Sequence, residues 1–155
     1  MRKKMSAVGL LICCLCLAAR AADEIPFPSD YRKWATVKSV LIGPHSPAFA
    51  TEAIYANSKA LQGYEAGILP DGSILVYELL DTTEASGATI EATLKRVDVM
   101  VKDSQGFEDK GGWNFARFRN GSPADGTIPP DAKAGCYHCH GQKKKHDFVF
   151  SEFRK

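Results

Sequence analysis

"LPDGSILVYELL", residues 69–80, is the stretch that decides the fold. Asp71-Gly72 is turn chemistry, because glycine supplies a positive φ without steric cost. The branched run that follows, Ile74 to Leu80, reads as a strand. Downstream, Thr89 to Asp103 continues the strand pattern. Within "LKRVDVMVKDS" Val97, Val99 and Val101 alternate with Asp98, Met100 and Lys102. That period of two predicts a half-buried strand with the valines on the core face and Met100 on the polar one. "WNFARFR" (113–119) is a shorter strand of the same kind, set off by the turn pair Gly111-Gly112. Upstream, "FATEAIYAN" (49–57) alternates as a strand, and "SKALQGYEAG" (58–67) is a helix closed by Gly67. A short helix is predicted from Ser29 or Asp30 through "YRKWATV" (31–37), since serine and aspartate are good N-caps. Several antiparallel strands with a few helices make an α+β domain, mostly antiparallel sheet. A Gly/Pro/Asp-rich link at 120–135 leads to a C-terminal segment, and no internal repeat or low-complexity run interrupts the chain.

That C-terminal segment, "GCYHCHGQKKKHDFVF" (135–150), sets Cys136, Cys139 and His140 in the order C-x-x-C-H. What such a group does depends on where the chain lives. The N-terminus reads MRKK, then an apolar run from Met5 to Leu17, then Ala18-Ala19-Arg20-Ala21-Ala22. This is the pattern of a secretory signal peptide, and the apolar run falls short of the ~20 residues a spanning helix needs. A retained membrane anchor is the weaker alternative, and Cys13, Cys14 and Cys16 lack the sequence context of a lipid anchor. Residues 1–21 are therefore expected to be a signal and 22–155 a single domain, exported to the periplasm and free of the membrane after processing. Processing removes four of the 20 basic residues and none of the 18 acidic ones, which turns a formal charge of +2 into −2. The basic balance thus belongs to the signal, and nucleic-acid binding loses its support. Three of the five cysteines go as well, leaving Cys136 and Cys139.

In an exported chain a lone cysteine pair suggests a disulfide, but here a histidine follows at once. Three chemistries compete. A thioredoxin-like redox pair needs a strand before it in a βαβ pattern, and Pro129-Pro130-Asp131 is no buried strand. A zinc site could enlist His138 or His146, yet the spacing matches no standard ligand pair. Covalent haem attachment needs what is present: two thiols one helical turn apart and a histidine beside the second to bind iron. Cys136 and Cys139 are thus expected to hold one haem c, with His140 as its iron ligand. For the sixth position, Met100 is a poor candidate on its polar strand face. His138 is constrained between the attachment cysteines, His146 follows a lysine run, and His45 lies in the loop "GPHSPAF". An open distal face is favoured over a bis-histidine site. Lys143, Lys144 and Lys145 read as a solvated turn, with docking of an acidic redox partner as the alternative. Trp34 and Trp113 read as core anchors.

"YRKW", "IYAN", "LPDGSILVYEL", "VMVKDS", "GGWNFARF", "CYHCH" and "DFVF" stand in the order found in cytochrome P-460 and its relatives the cytochromes c′-beta, and the chain resembles that family over nearly all of residues 22–155. The resemblance implies a mostly antiparallel β domain, a homodimer, and a five-coordinate c-type haem bound through histidine. It implies as ligands or substrates small species such as hydroxylamine, nitric oxide or carbon monoxide. In the hydroxylamine-oxidising members a lysine cross-links to the haem from the position before the Glu-Leu pair; here that position is Tyr77, before Glu78-Leu79. A phenol cannot make that nitrogen bond, so turnover is in question and gas binding without turnover, or plain electron transfer, stays open. Phe49 and Tyr77 are the candidates for lining the distal face, with an ordinary core role as the alternative for both. Asp131, five residues before Cys136, is the candidate proton acceptor by resemblance, and alternatively the N-cap of the haem-bearing helix.

Overall fold

The computed structural model describes residues 24–153 apart from 44, 47, 48 and 127; the expected leader lies outside the described residues. Five strands form one antiparallel sheet in chain order: β1 (Ala35–Ile42), β2 (Ala50–Ala56), β3 (Ile74–Ala85), β4 (Ala88–Lys102) and β5 (Trp113–Arg119). Helix α1 (Ser58–Ala66) joins β2 to β3, and helix α2 (Pro130–Gly141) follows β5. This is the α+β, mostly antiparallel architecture expected. Among the described residues no helix is long and apolar enough to cross a membrane.

Local chemistry explains most boundaries. Asn57 caps α1, its Oδ1 accepting from the Ala60 N–H at 2.9 Å, and Gly67 ends the helix at φ 81°. Left-handed backbone of that kind favours glycine. The same Asn57 side chain also accepts from Ile74 N (3.1 Å) and donates to Gly72 O (3.0 Å), tying the helix start to the start of β3. Ser86 and Gly87, at φ 53° and 78°, make the tight hairpin between β3 and β4.

The helix expected over "YRKWATV" is corrected. Only Tyr31–Lys33 form a single 3₁₀ turn, Asp30 makes no side-chain cap, and β1 begins at Ala35. The pairing of β1 with β2, Ala35↔Ala56 through Ile42↔Ala50, overrides the weak helical signal.

The sheet is covered on both faces. On one, Tyr31, Val76, Val97, Val99, Ala116 and Phe118 form a core closed by the N-terminal segment through Phe27 and Trp34. Glu78, 2 % exposed, pins that segment: it accepts from Tyr31 Oη, from Arg32, and from Tyr55 Oη at 3.1 Å. The opposite face packs Val37, Ala56, Leu75, Met100, Phe115 and Trp113 against α1, α2 and the C-terminal segment. Met100 is therefore buried, 7 % exposed, where the alternation alone had put it on a polar face. The reason is that helices and chain ends cover the second side of a strand that reads as one-sided.

Candidate functional site

Between the second sheet face and α2 lies a cavity of about 590 Å³. Strand register builds its floor as two rungs. One runs Leu75, Met100, Phe115 across β3 to β5 and is apolar. The next runs Lys38, Ile54, Tyr77, Asp98, Arg117 across all five strands and is mostly polar. Side chains two apart on a strand share a face, so Glu52 and Arg96 join the polar side. Residues scattered over eighty positions of sequence thus meet on one surface.

The polar rung is internally bonded. Arg117 donates to both Asp98 oxygens, Nε to Oδ1 at 2.6 Å and Nη2 to Oδ2 at 2.7 Å. Such bidentate pairing is among the stronger ionic contacts. Arg96 Nε lies 3.2 Å from Asp98 Oδ2, and its guanidinium sits 5.5 Å over the Tyr77 ring. Tyr77 Oη donates to Glu52 Oε1 at 2.6 Å. Burial, then the Glu52 carboxylate, hold the Tyr77 phenol well above the usual tyrosine range.

Helix α2 supplies the opposite wall. Pro130 opens its first turn, where a missing N–H costs nothing. Residues at i, i+3 and i+4 share a helix face, and Cys136, Cys139 and His140 all line the cavity, the two cysteines as free thiols. The His140 ring packs against Phe115 (4.9 Å) and edge-on to Phe150 (5.1 Å). Its Nδ1 lies 2.7 Å from the Phe148 carbonyl, a bond in which Nδ1–H donates. That tautomer leaves the Nε2 lone pair for a metal. Burial pushes the His140 imidazole below its usual range, partly offset by the Phe148 carbonyl, which favours the neutral ligand form.

The donor set fits a haem. Two unpaired thiols one helical turn apart and an imidazole with a fixed free nitrogen face one cavity, whose apolar rung suits a macrocycle and whose cations Lys38, Arg96 and Arg117 suit its carboxylates. Among the described residues no group of three or more His, Cys, Asp or Glu gathers as a metal cage.

The other expected site residues are placed as follows. Tyr77 lines the cavity. Phe49 does not; it precedes β2, half-buried, away from the lining. Asp131 is exposed on the first turn of α2 and outside the lining, and the helix N-cap is Pro129, so Asp131 is not the cap of that helix. The cavity's carboxylates are Glu52 and Asp98 instead. Met100, set aside on the sequence pattern, lines the cavity with His140, whereas His45, His138 and His146 are exposed and outside it. Glu52, Arg96, Asp98 and Arg117 were not singled out, and only the strand register could have found them. Among curated proteins none matches the chain. The family described as Cytochrome P460 matches residues 28–151, nearly the whole described chain. With its sheet, its C-x-x-C-H helix and this match, the chain belongs to the cytochrome P460 family and is a haem-binding cytochrome.

Proposed function

We propose that the protein is an exported, periplasmic c-type cytochrome with one haem, held by thioether bonds to Cys136 and Cys139 and by His140 Nε2 at the iron, and that its open side binds or oxidises small nitrogen species such as hydroxylamine or nitric oxide. The observation that carries this reading is the His140 imidazole, oriented by the Phe148 carbonyl on the same helix face as two free thiols, at the wall of one cavity. When bound, the haem supplies an iron that exchanges electrons with a small ligand. The chain's own part is to orient the imidazole, exclude bulk water with Leu75, Phe115 and Val149, and handle protons. Glu52, whose Oε1 holds the Tyr77 hydroxyl, takes over the proton-acceptor role first considered for Asp131.

A second reading, gas binding without turnover, is favoured by Tyr77 itself. The phenol occupies the position of the family's cross-linking lysine and is engaged with Glu52. In either reading a homodimer and an electron-carrying protein partner are proposed, the latter docking at Lys143, Lys144 and Lys145 beside α2.

Optical spectra of the purified protein, oxidised, reduced and reduced with carbon monoxide, test the assignment. A high-spin haem that binds carbon monoxide and resists extraction by acidic solvent is expected, with extraction becoming complete in Cys136→Ala/Cys139→Ala. A low-spin spectrum indifferent to carbon monoxide would make the protein a plain electron carrier. Hydroxylamine-dependent reduction of an added acceptor then separates turnover from gas binding.

A further inference from the structure

We propose that Lys102 and Asp147 are a positioning pair that sets the hydrogen bond between the Phe148 carbonyl and His140 Nδ1, and through it the electron donation of the imidazole to the iron. This rests on the reading of His140 as the haem's axial ligand.

The chain after α2 must turn back so that a backbone carbonyl meets the ring it has just passed. It does so through two consecutive residues in the left-handed region, Asp147 at φ 49° and Phe148 at φ 65°. Aspartate tolerates that region, whereas a bulky aromatic rarely visits it. Such backbone persists where its surroundings over-determine it, and it concentrates at functional sites. The surroundings here are specific. Lys102, at the end of β4 and 7 % exposed, donates from Nζ to Asp147 Oδ1 at 2.6 Å and to the Gly111 carbonyl at 3.0 Å. The same ammonium lies 4.9 Å over the Trp113 ring. Asp147 Oδ2 accepts from Leu69 N at 2.8 Å, and the Asp147 carbonyl accepts from Trp113 Nε1 at 3.0 Å.

Asp147 is thus held through both carboxylate oxygens and its carbonyl, by groups from β4, from the α1–β3 connection and from β5. Phe148 is then secured in two ways. Its N–H donates to Lys143 O at 2.9 Å, and its ring fills the space that a Cβ at Gly111 would occupy. What remains unengaged by this framework is the Phe148 carbonyl, and it points to His140 Nδ1 at 2.7 Å.

A buried ion pair is a weak source of stability, because desolvation offsets much of the attraction. Its value here is orientation. Partners of a metal-bound histidine's second nitrogen fix the ring and raise its basicity. A displaced or lengthened Nδ1–H···O bond therefore weakens donation to iron, lowers the iron(II)–histidine stretching frequency and makes the reduction potential more positive.

The test uses the haem-loaded protein and reads that frequency by resonance Raman together with the potential. Asp147→Asn keeps a residue that tolerates left-handed backbone and removes the charge; Lys102→Met keeps the stem over Trp113 and removes the other charge. Both are expected to lower the frequency and raise the potential, while Lys102→Arg, which keeps the pair, stays nearer the wild type. Lys102→Met/Asp147→Asn leaves no charge buried alone, and is the variant to read if either single one fails to accumulate. An unchanged frequency and potential in the folded double variant overturns the proposal, as does a loss of melting temperature in the single variants with no spectroscopic shift. A wild-type iron–histidine band that survives His140→Ala overturns it differently, by showing that the axial-ligand reading itself has failed.

Discussion

At the residue scale, Tyr77 carries the sharpest departure from the hydroxylamine-oxidising pattern. Its hydroxyl is committed to Glu52 and its ring to Arg96, so it is a bonded part of the polar rung. The mature haem protein is accordingly expected to have the mass of two thioether links and nothing more. Intact-mass measurement checks this: a value lighter by the hydrogens of a further bond, restored in Tyr77→Phe, would show that the phenol is joined to the porphyrin. Tyr77→Phe should also cost about 1 kcal/mol in chemical denaturation, the usual scale for one lost hydrogen bond. The effect on ligand chemistry is separate, because the variant frees Glu52 Oε1 as a proton acceptor.

Elements are held here by side chains that serve two structures at once. Asn57 caps α1 and bonds the backbone on either side of Ser73, so Asn57→Ala loses a cap and strands polar groups at the entry to β3. A loss of about 2–3 kcal/mol is expected, above the ~1 of a helix cap alone, and thermal unfolding of the variant measures it. Gly111→Ala combines a positive φ of 69° with overlap of the Phe148 ring. Its expected cost is about 2 kcal/mol or more, accompanied by a disturbed haem spectrum, since Phe148 carries the carbonyl that meets His140. These elements also show what a sequence can disclose. Helix α1 and the strands from β2 to β5 were legible because capping and alternation are local. β1 was not, because "YRKWATV" follows good N-cap residues and only pairing with β2 makes it a strand. The same division runs through the site. Cys136, Cys139 and His140 could be read from spacing on one helix, whereas Glu52, Asp98 and Arg117 come from three strands and meet only through register. Met100 was misplaced because alternation reveals that a strand has two faces but not that both are buried.

Across the whole molecule, tyrosines are distributed so as to set an alkaline limit. Burial, then Glu78, raises Tyr31 and Tyr55 on one face; burial, then Glu52, raises Tyr77 on the other; burial raises Tyr64, which is bonded to Ser151. In each case the unfolded chain releases its proton near the ordinary value of 10 while the folded chain still holds it. The unfolded state then binds fewer protons, so stability is fully present below about pH 10 and falls as pH rises above it. Melting temperatures measured through that range should decline, and the phenolate absorbance of these four tyrosines should appear together with unfolding. The sheet itself is not uniform. β2 accompanies β3 only as far as Asp81, β5 accompanies β4 from Arg96, and Lys95 O still accepts from Asn120 N, so among the described residues Thr82 to Leu94 form a ribbon of two strands with no third strand paired to it. An isolated two-stranded hairpin is marginal in water. In deuterated solvent its amides should exchange orders of magnitude faster than those of Val76 or Val99, which lie buried among neighbours on both sides. The cavity therefore keeps its geometry while the outer stretch of its two longest strands opens and closes on its own.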